Sequence, residues 1–477
     1  MKKYFFKDIS AGALQVILNQ AMGLLVFILL SRYLAKPVYG ELNWSLALLT
    51  FITTLLSLRL EQVIVRRVAA GDDPSKMLTL FAGHIFFSGV VFYAILLLAS
   101  VVFSGFFKMH NLILFLAISQ LLVFFSSPFK QLANGKEKFA WLAAMSVISN
   151  FLRAVLLLLV LLFSALNVQQ VLLIYIISST AELLFCFFVV QYKLKISISS
   201  RWKLADYFAL LKESLPQIST VILNAGIARL DWILLGIFSG SVITAEYSFA
   251  YKLFEICPLP LLILGPVLLS RFSKYFSIKT EITLLSKKDE IGFFIRCQMI
   301  AATFIPLVLN IIWTPFIDLL TGNKYGAVNK TSFFLLSLCV PLQYMINLMW
   351  TVEFAQNRLK RIFRITAITC VIIITGDALM IPFYNAKGAA IIYLLATSVE
   401  YGIYLRLSIL KKIKESWQAL LWCTGIALLC GFLVEYMGSP LYLKLLLAIF
   451  IYVLLIIFTR QIRKNDFQII KELIKVK

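Results

Sequence analysis

Several ionisable residues stand inside long apolar runs of this sequence, and six of them could do chemistry. Arg153, Arg229 and Lys252 are cationic; Glu182, Asp231 and Glu400 are acidic. A charged side chain near the middle of a bilayer costs about 2.5–3.5 kcal/mol on insertion scales, so such groups face a wet cavity or a partner. A guanidinium can bind phosphate oxygens through two parallel hydrogen bonds. A carboxylate in the same setting can carry a proton or a sodium ion. Polar residues accompany these charges at helical spacing. Ser146, Ser149, Asn150 and Arg153 form one stripe, and Tyr175, Ser178, Ser179 and Glu182 form another. Gln217, Asn224 and Asp231 follow at intervals of seven and share a face. Arg229 lies off that face and is not expected to pair with Asp231 within one helix. Tyr393, Thr397, Glu400 and Tyr404 share a fourth stripe, while Asp377 lies nearer the outer end of its segment. Two readings follow. In one, Arg153, Arg229 and Lys252, with Asn150 and Asn224, line a cationic cavity, and Glu182, Asp231 and Glu400 couple transport to an ion. In the other, the charges pair structurally, as Arg153 with Glu182, or Lys252 with Glu255 three residues on. Lys252 could also snorkel to an interface.

The elements that hold these residues are apolar segments of bilayer length. Of the 477 residues 61% are hydrophobic and 14% charged, too few charges to cover a soluble protein of this size. Continuous apolar runs without period-two alternation exclude a transmembrane barrel and leave helices. The runs predict about fourteen spans, at 9–30, 39–58, 77–103, 112–130, 140–163, 171–192, 216–238, 245–269, 293–319, 331–354, 362–383, 388–410, 417–437 and 441–459. With the N-terminus inside, cytoplasmic segments hold about 35 Lys and Arg and external ones about 7, a strong positive-inside bias. Both termini are therefore expected in the cytoplasm, and the net charge of +22 belongs to short loops such as Lys193–Lys212, Arg271–Lys288, Arg358–Arg364 and Lys411–Lys414. That placement argues against nucleic acid as a partner and for attraction to anionic lipid headgroups. The first apolar run lacks the small-residue site of a cleaved signal peptide.

An internal repeat organises the spans. Val16-Ile17-Leu18-Asn19 recurs as Val221-Ile222-Leu223-Asn224, and Ile28-Leu29-Leu30 as Ile233-Leu234-Leu235, at a constant offset of 205. Glu41 then aligns with Glu246 and Trp44 with Phe249. Spans six apart cross in the same direction. The expected fold is therefore an all-α polytopic membrane protein of two parallel six-helix halves, related by a pseudo-twofold axis along the membrane normal, plus two C-terminal helices. The boundaries are 1–192, 193–410 and 411–477.

Little points to other chemistry. Cys186, Cys257, Cys297, Cys339, Cys370, Cys423 and Cys430 lie in apolar runs without a C-x-x-C and read as small hydrophobes. With two histidines, His84 and His110, no zinc cluster or Cys-His pair is expected. No phosphate-cradling G-x-x-x-x-G-K-[ST] loop occurs, so neither ATP nor another cofactor is expected. Pro258, Pro260, Gly265 and Pro266 interrupt the eighth span and could make a hinge or a static kink.

Two stretches carry a family resemblance. The first is Leu30-Ser31-Arg32-Tyr33-Leu34 with Tyr39-Gly40. The second is Leu211-Lys212-Glu213-Ser214-Leu215-Pro216, then Arg229-Leu230-Asp231, then Tyr247-Ser248-Phe249-Ala250-Tyr251-Lys252-Leu253. They resemble polysaccharide flippases of the Wzx type, in the superfamily that includes multidrug exporters and the lipid II flippase. Ala245-Glu246-Tyr247 departs from that family's frequent Gly-x-Tyr. The resemblance implies a non-enzymatic flippase of the inner membrane with an undecaprenyl-pyrophosphate-linked oligosaccharide as cargo. It further implies a proton or sodium ion as coupling partner, and a polysaccharide polymerase and chain-length regulator as protein partners. The pyrophosphate would meet the arginines, and the sugars the Tyr, Asn and Gln side chains. Three rivals stay open: a multidrug exporter of the same superfamily, a membrane O-antigen polymerase or glycosyltransferase, and a passive scaffold. The polymerase is disfavoured because no external loop exceeds about a dozen residues and no D-x-D motif lies in a loop, Asp72-Asp73-Pro74 reading as a turn.

Overall fold

Backbone groups that meet no water must pair within the chain, and a helix does this segment by segment. In the computed structural model, residues 2–198, 203–261, 288–463 and 466 are described, with side chains from residue 17 apart from those of Met109, Pro216 and Gln217. Every regular element among them is helical. Packing divides the chain into two units, Met1–Ala245 and Glu246–Lys477.

The first unit contains α1 (Lys2–Tyr33), α2 (Lys36–Leu56), α3 (Leu60–Ala69), α4 (Pro74–Val102), α5 (Ser104–Met109) and α6 (Leu112–Gly135). It continues with α7 (Phe139–Phe163), α8 (Val168–Phe188), extended by a π-helical turn Val189–Lys193, and α9 (Leu204–Phe238). Helix α10 (Gly240–Phe254) carries the chain into the second unit, which holds α11 (Lys288–Thr321), α12 (Gly326–Ala355), α13 (Leu359–Leu407), α14 (Glu415–Glu435) and α15 (Leu441–Phe458). Ten helices among the described residues are long and apolar enough to cross a membrane, or eleven if α2 and α3 form one span bent by 51°. Helix α13 is two limbs joined at Asn385, whose φ of 51° and ψ of −135° break the helical run. Each predicted span overlaps a described helix, that at 245–269 only as far as Leu261. The loop Arg271–Lys288, except Lys288 itself, and Gly265 and Pro266 lie outside the described residues.

Local chemistry sets the helix ends. Asp73 caps α4 by accepting from the Ser75 N–H at 3.0 Å, with Pro74 supplying a pre-set first turn. Asn167 and Gln170 form a reciprocal capping box at α8. Between α2 and α3 the chain turns through Leu58 (φ 49°) and Arg59 (φ 61°), two side-chain-bearing residues in the left-handed region. The Leu56 carbonyl freed there accepts from His84 Nε2 at 2.8 Å, which leaves Nδ1 to accept from the Tyr207 hydroxyl at 2.8 Å. Past the turn, Arg67 grips Glu213 of α9 through Nε (2.9 Å) and Nη2 (2.6 Å), and Arg66 pairs with the same carboxylate. Helix α10 ends at Phe254, before Pro258 and Pro260, and the Tyr344 hydroxyl of α12 donates to the Cys257 carbonyl at the break, 3.0 Å away. Phe86, Phe87, Ile95 and Leu98 leave α4 broadly exposed, a face suited to lipid rather than water.

Two glycines allow close packing, one against a ring and one against backbone. A Cβ on Gly236 would fall 1.9 Å from the Trp44 ring, and one on Gly40 only 1.7 Å from the Ser241 carbonyl oxygen. Trp44 accordingly lies against α9 and donates from Nε1 to the Ile233 carbonyl at 3.1 Å. Gly40→Ala should destabilise the protein by about 1–3 kcal/mol, at the upper end because the obstacle is backbone. A lower melting temperature in detergent checks this. Gly83→Ala, where nothing lies within 4 Å, should leave it unchanged or raise it.

Candidate functional site

The polar stripes predicted on α7 and α8 come together with α6. Arg153 of α7 lays its guanidinium 4.3 Å from the centre of the Tyr175 ring and donates from Nη2 to Ser179 Oγ at 2.9 Å, both on α8. Ser179 and Ser119 of α6 share a 2.8 Å hydroxyl contact, and Ser119 also reaches the Tyr175 carbonyl at 3.1 Å. Arg153 Nε has no hydrogen-bond partner among the described residues, and no carboxylate there pairs with the side chain. The cation is thus steered by a π face and a neutral hydroxyl. Its charge stays available for an anion.

One turn along α8, Glu182 is buried. It accepts from Ser126 Oγ at 2.8 Å and forms an ion pair with Lys130, both on α6. Structural pairing of Arg153 with Glu182 is therefore not what the fold builds; Lys130 takes that place. Lys130 closes the predicted span 112–130 and belongs to none of the polar stripes singled out in the sequence. The signal that could have found it is helical phase: Ser119, Ser126 and Lys130 follow at seven and four on α6. On the other flank, Asn150 donates to Asn19 Oδ1 of α1 at 2.8 Å.

Helix α9 carries the next candidates. Asp231 is buried and accepts from the Trp232 N–H at 2.8 Å. Arg229 donates to the Ala228 carbonyl at 3.1 Å and stands 5.0 Å from the Trp232 ring. Asn224 is exposed.

In the second unit, Lys252 donates to Glu255 at 2.8 Å, the local pair that the sequence spacing allows. Tyr393 accepts from Gln343 Nε2 at 2.9 Å, with the rings of Tyr251 and Phe254 edge-on at 5.7 and 5.8 Å. Glu400 stands half-buried on the second limb of α13. Asp377 is buried on the first limb.

The aligned repeat residues make parallel contacts. Trp44 stacks on His110, just before α6, at 4.2 Å and 28°. Phe249 stacks on Tyr325, just before α12, at 4.8 Å and 10°. Helices α6 and α12 hold the fourth and tenth predicted spans, six apart. Burial holds the His110 imidazole below its ordinary value of 6.5. A depressed histidine disfavours protonation in the folded state, so its contribution is complete above the unfolded pKa near 6.5 and declines as pH falls through that value. Acidification from pH 7.5 to 5.5 should lower the wild-type melting temperature more than that of His110→Phe. Equal slopes would remove the linkage.

No cluster of three metal-ligating side chains occurs among the described residues. Residues 5–276 match the family described as polysaccharide biosynthesis protein. No curated protein sequence matches significantly. Among solved structures the chain is similar to a lipid II flippase, MurJ, in an inward closed conformation (TM-score 0.75, 14% identity, 94% of this chain and 98% of that one). It is similar also to an inward-facing multidrug resistance MATE family transporter of the MOP superfamily (0.67, 12%, 88% and 96%). A mutant of the Vibrio cholerae MATE transporter VcmN aligns at 0.57, with 13% identity over 87% of this chain and 98% of that one. At these identities the likeness establishes a shared fold, that of multi-pass transporters.

Proposed function

The chain belongs to the polysaccharide biosynthesis protein family, and on that premise we propose that it is a flippase for an undecaprenyl-pyrophosphate-linked oligosaccharide. The unit would pass from the cytoplasmic to the outer face of the inner membrane, for O-antigen or other surface polysaccharide. The observation that carries this reading is Arg153, a cation on a membrane helix held by Tyr175 and Ser179 and by no described carboxylate. A pyrophosphate oxygen can displace the Ser179 hydroxyl as acceptor, because an anionic acceptor adds a Coulombic attraction to the guanidinium that a neutral hydroxyl does not. Arg229 would serve likewise from α9, and Asn150 and Asn224 would meet sugar hydroxyls. Lys252 is the weaker candidate, since Glu255 already offsets its charge.

Only the polar head of such a cargo must be shielded, as its tail can stay in hydrocarbon. Alternating access by a repeat-built transporter supplies that shield. Glu182, Asp231 and Glu400 are the proposed ion carriers. Glu182 shares α6 and α8 with the Arg153 hydroxyl pair, so neutralising it would release Lys130 beside the same polar seam. The basic loops support a cytoplasmic position for both termini.

The test is complementation of a flippase-null strain. Expression should restore surface polysaccharide and clear lipid-linked units from the inner leaflet. Drug efflux without clearance would favour the multidrug reading. Proteoliposome transport indifferent to both proton and sodium gradients would remove the coupling.

A further inference from the structure

Away from the polar seam, a groove of about 870 Å³ opens where α12 gives way to α13, between the two limbs of α13. Arg358, Lys360, Arg361 and Arg364 line one part of it, and Ile365, Ile368, Ile403 and Leu407 another. Arg361, Arg364, Ile365 and Ile368 follow one helical stripe. Charge therefore passes into hydrocarbon over seven residues, about 10 Å along the axis. That gradient matches the step from phosphate to acyl chain in a phospholipid leaflet.

The charges do not balance within the fold. Glu353, fully buried, accepts from Arg361 at 3.0 Å and lies 3.6 Å from Arg358. Arg361 also donates to the Leu407 carbonyl at 3.2 Å, tying the first limb to the second. Lys360 and Arg364 have no partner among the described residues. One carboxylate thus answers four cations. Ile368 and Leu407 are 44% and 41% exposed, so the apolar part opens outward. Asn357 is the sole uncharged polar side chain in the lining, and the lining has no aromatic ring. An oligosaccharide would find no stacking face here and a single neutral polar side chain, Asn357.

We propose that this groove binds one anionic glycerophospholipid. Its phosphate is held by Lys360 and Arg364, beside the fixed Arg361, and one acyl chain lies along the isoleucines. The lipid neutralises the excess charge and clamps the two limbs at their open end.

Native mass spectrometry of the full chain, titrated with phosphatidylglycerol or phosphatidylethanolamine, tests this. The first phosphatidylglycerol should bind at least about tenfold more tightly, since each near-surface cation adds to headgroup affinity. Lys360→Gln with Arg364→Gln should abolish the preference. Ile368→Trp should reduce it with every cation in place, and an exposed position tolerates that change. Lys136→Gln with Lys138→Gln removes the same charge from another loop and should preserve the preference. No preference in the wild type, or equal loss in both charge variants, overturns the proposal. So does displacement of phosphatidylglycerol by one equivalent of undecaprenyl phosphate, which would make the groove a cargo site.

Discussion

Arg153→Ala should abolish surface polysaccharide in a complemented strain at unchanged protein level, with lipid-linked units accumulating on the inner leaflet. Truncating one partner of a buried charge-assisted contact costs about 2–5 kcal/mol, a loss of about thirtyfold or more in cargo affinity. Arg153→Lys keeps the charge but loses the planar fork and the stack on Tyr175, so it should restore only part of the activity. Stability should change little, because the side chain gives up one guanidinium–hydroxyl bond and one ring contact but also takes away an unpaired cation. Arg229→Ala is the companion measurement. Normal polysaccharide from both variants would remove the cationic site and leave the transporter fold standing.

The second large effect concerns Lys130 and Glu182. Lys130→Met leaves a buried carboxylate with Ser126 as its remaining described partner, and should destabilise the protein by about 3–5 kcal/mol. Adding Glu182→Met removes the orphaned charge and should recover most of that loss. The pair separates structure from coupling. If Glu182 carries the ion, the double variant folds and still fails to respond to a gradient. A double variant that transports with unchanged gradient dependence would assign the pair to packing alone.

The sequence made the helical, multi-pass architecture legible because bilayer-length apolar runs admit few other folds. The stripes were legible for the same reason: spacing of three and four fixes a common face, and Arg153, Tyr175 and Ser179 do meet. Partner choice was not legible. Spacing says which face a residue occupies but not which neighbouring helix covers it, so Arg153 and Glu182 suggested each other while Lys130 was overlooked. Trp44 and Phe249, aligned in the sequence repeat, stack on His110 and Tyr325, the rings just before α6 and α12. Tyr39-Gly40 stood out only as a resemblance. Its physical reason, a Ser241 carbonyl where a side chain would otherwise be, is a contact between residues two hundred positions apart. Lys252 was resolved by the local rule alone, since Glu255 sits three residues away.

The corner between α2 and α3 turns on Leu58 and Arg59, where each left-handed residue costs roughly 1–2 kcal/mol. A freely swinging joint would use glycine. This one is a rigid bracket, so α2 and α3 tilt as a single lever. Its far arm ends in Arg66 and Arg67, clamped on Glu213. Any rotation of α2 would therefore be felt at Glu213 of α9, the helix that carries Arg229 and Asp231.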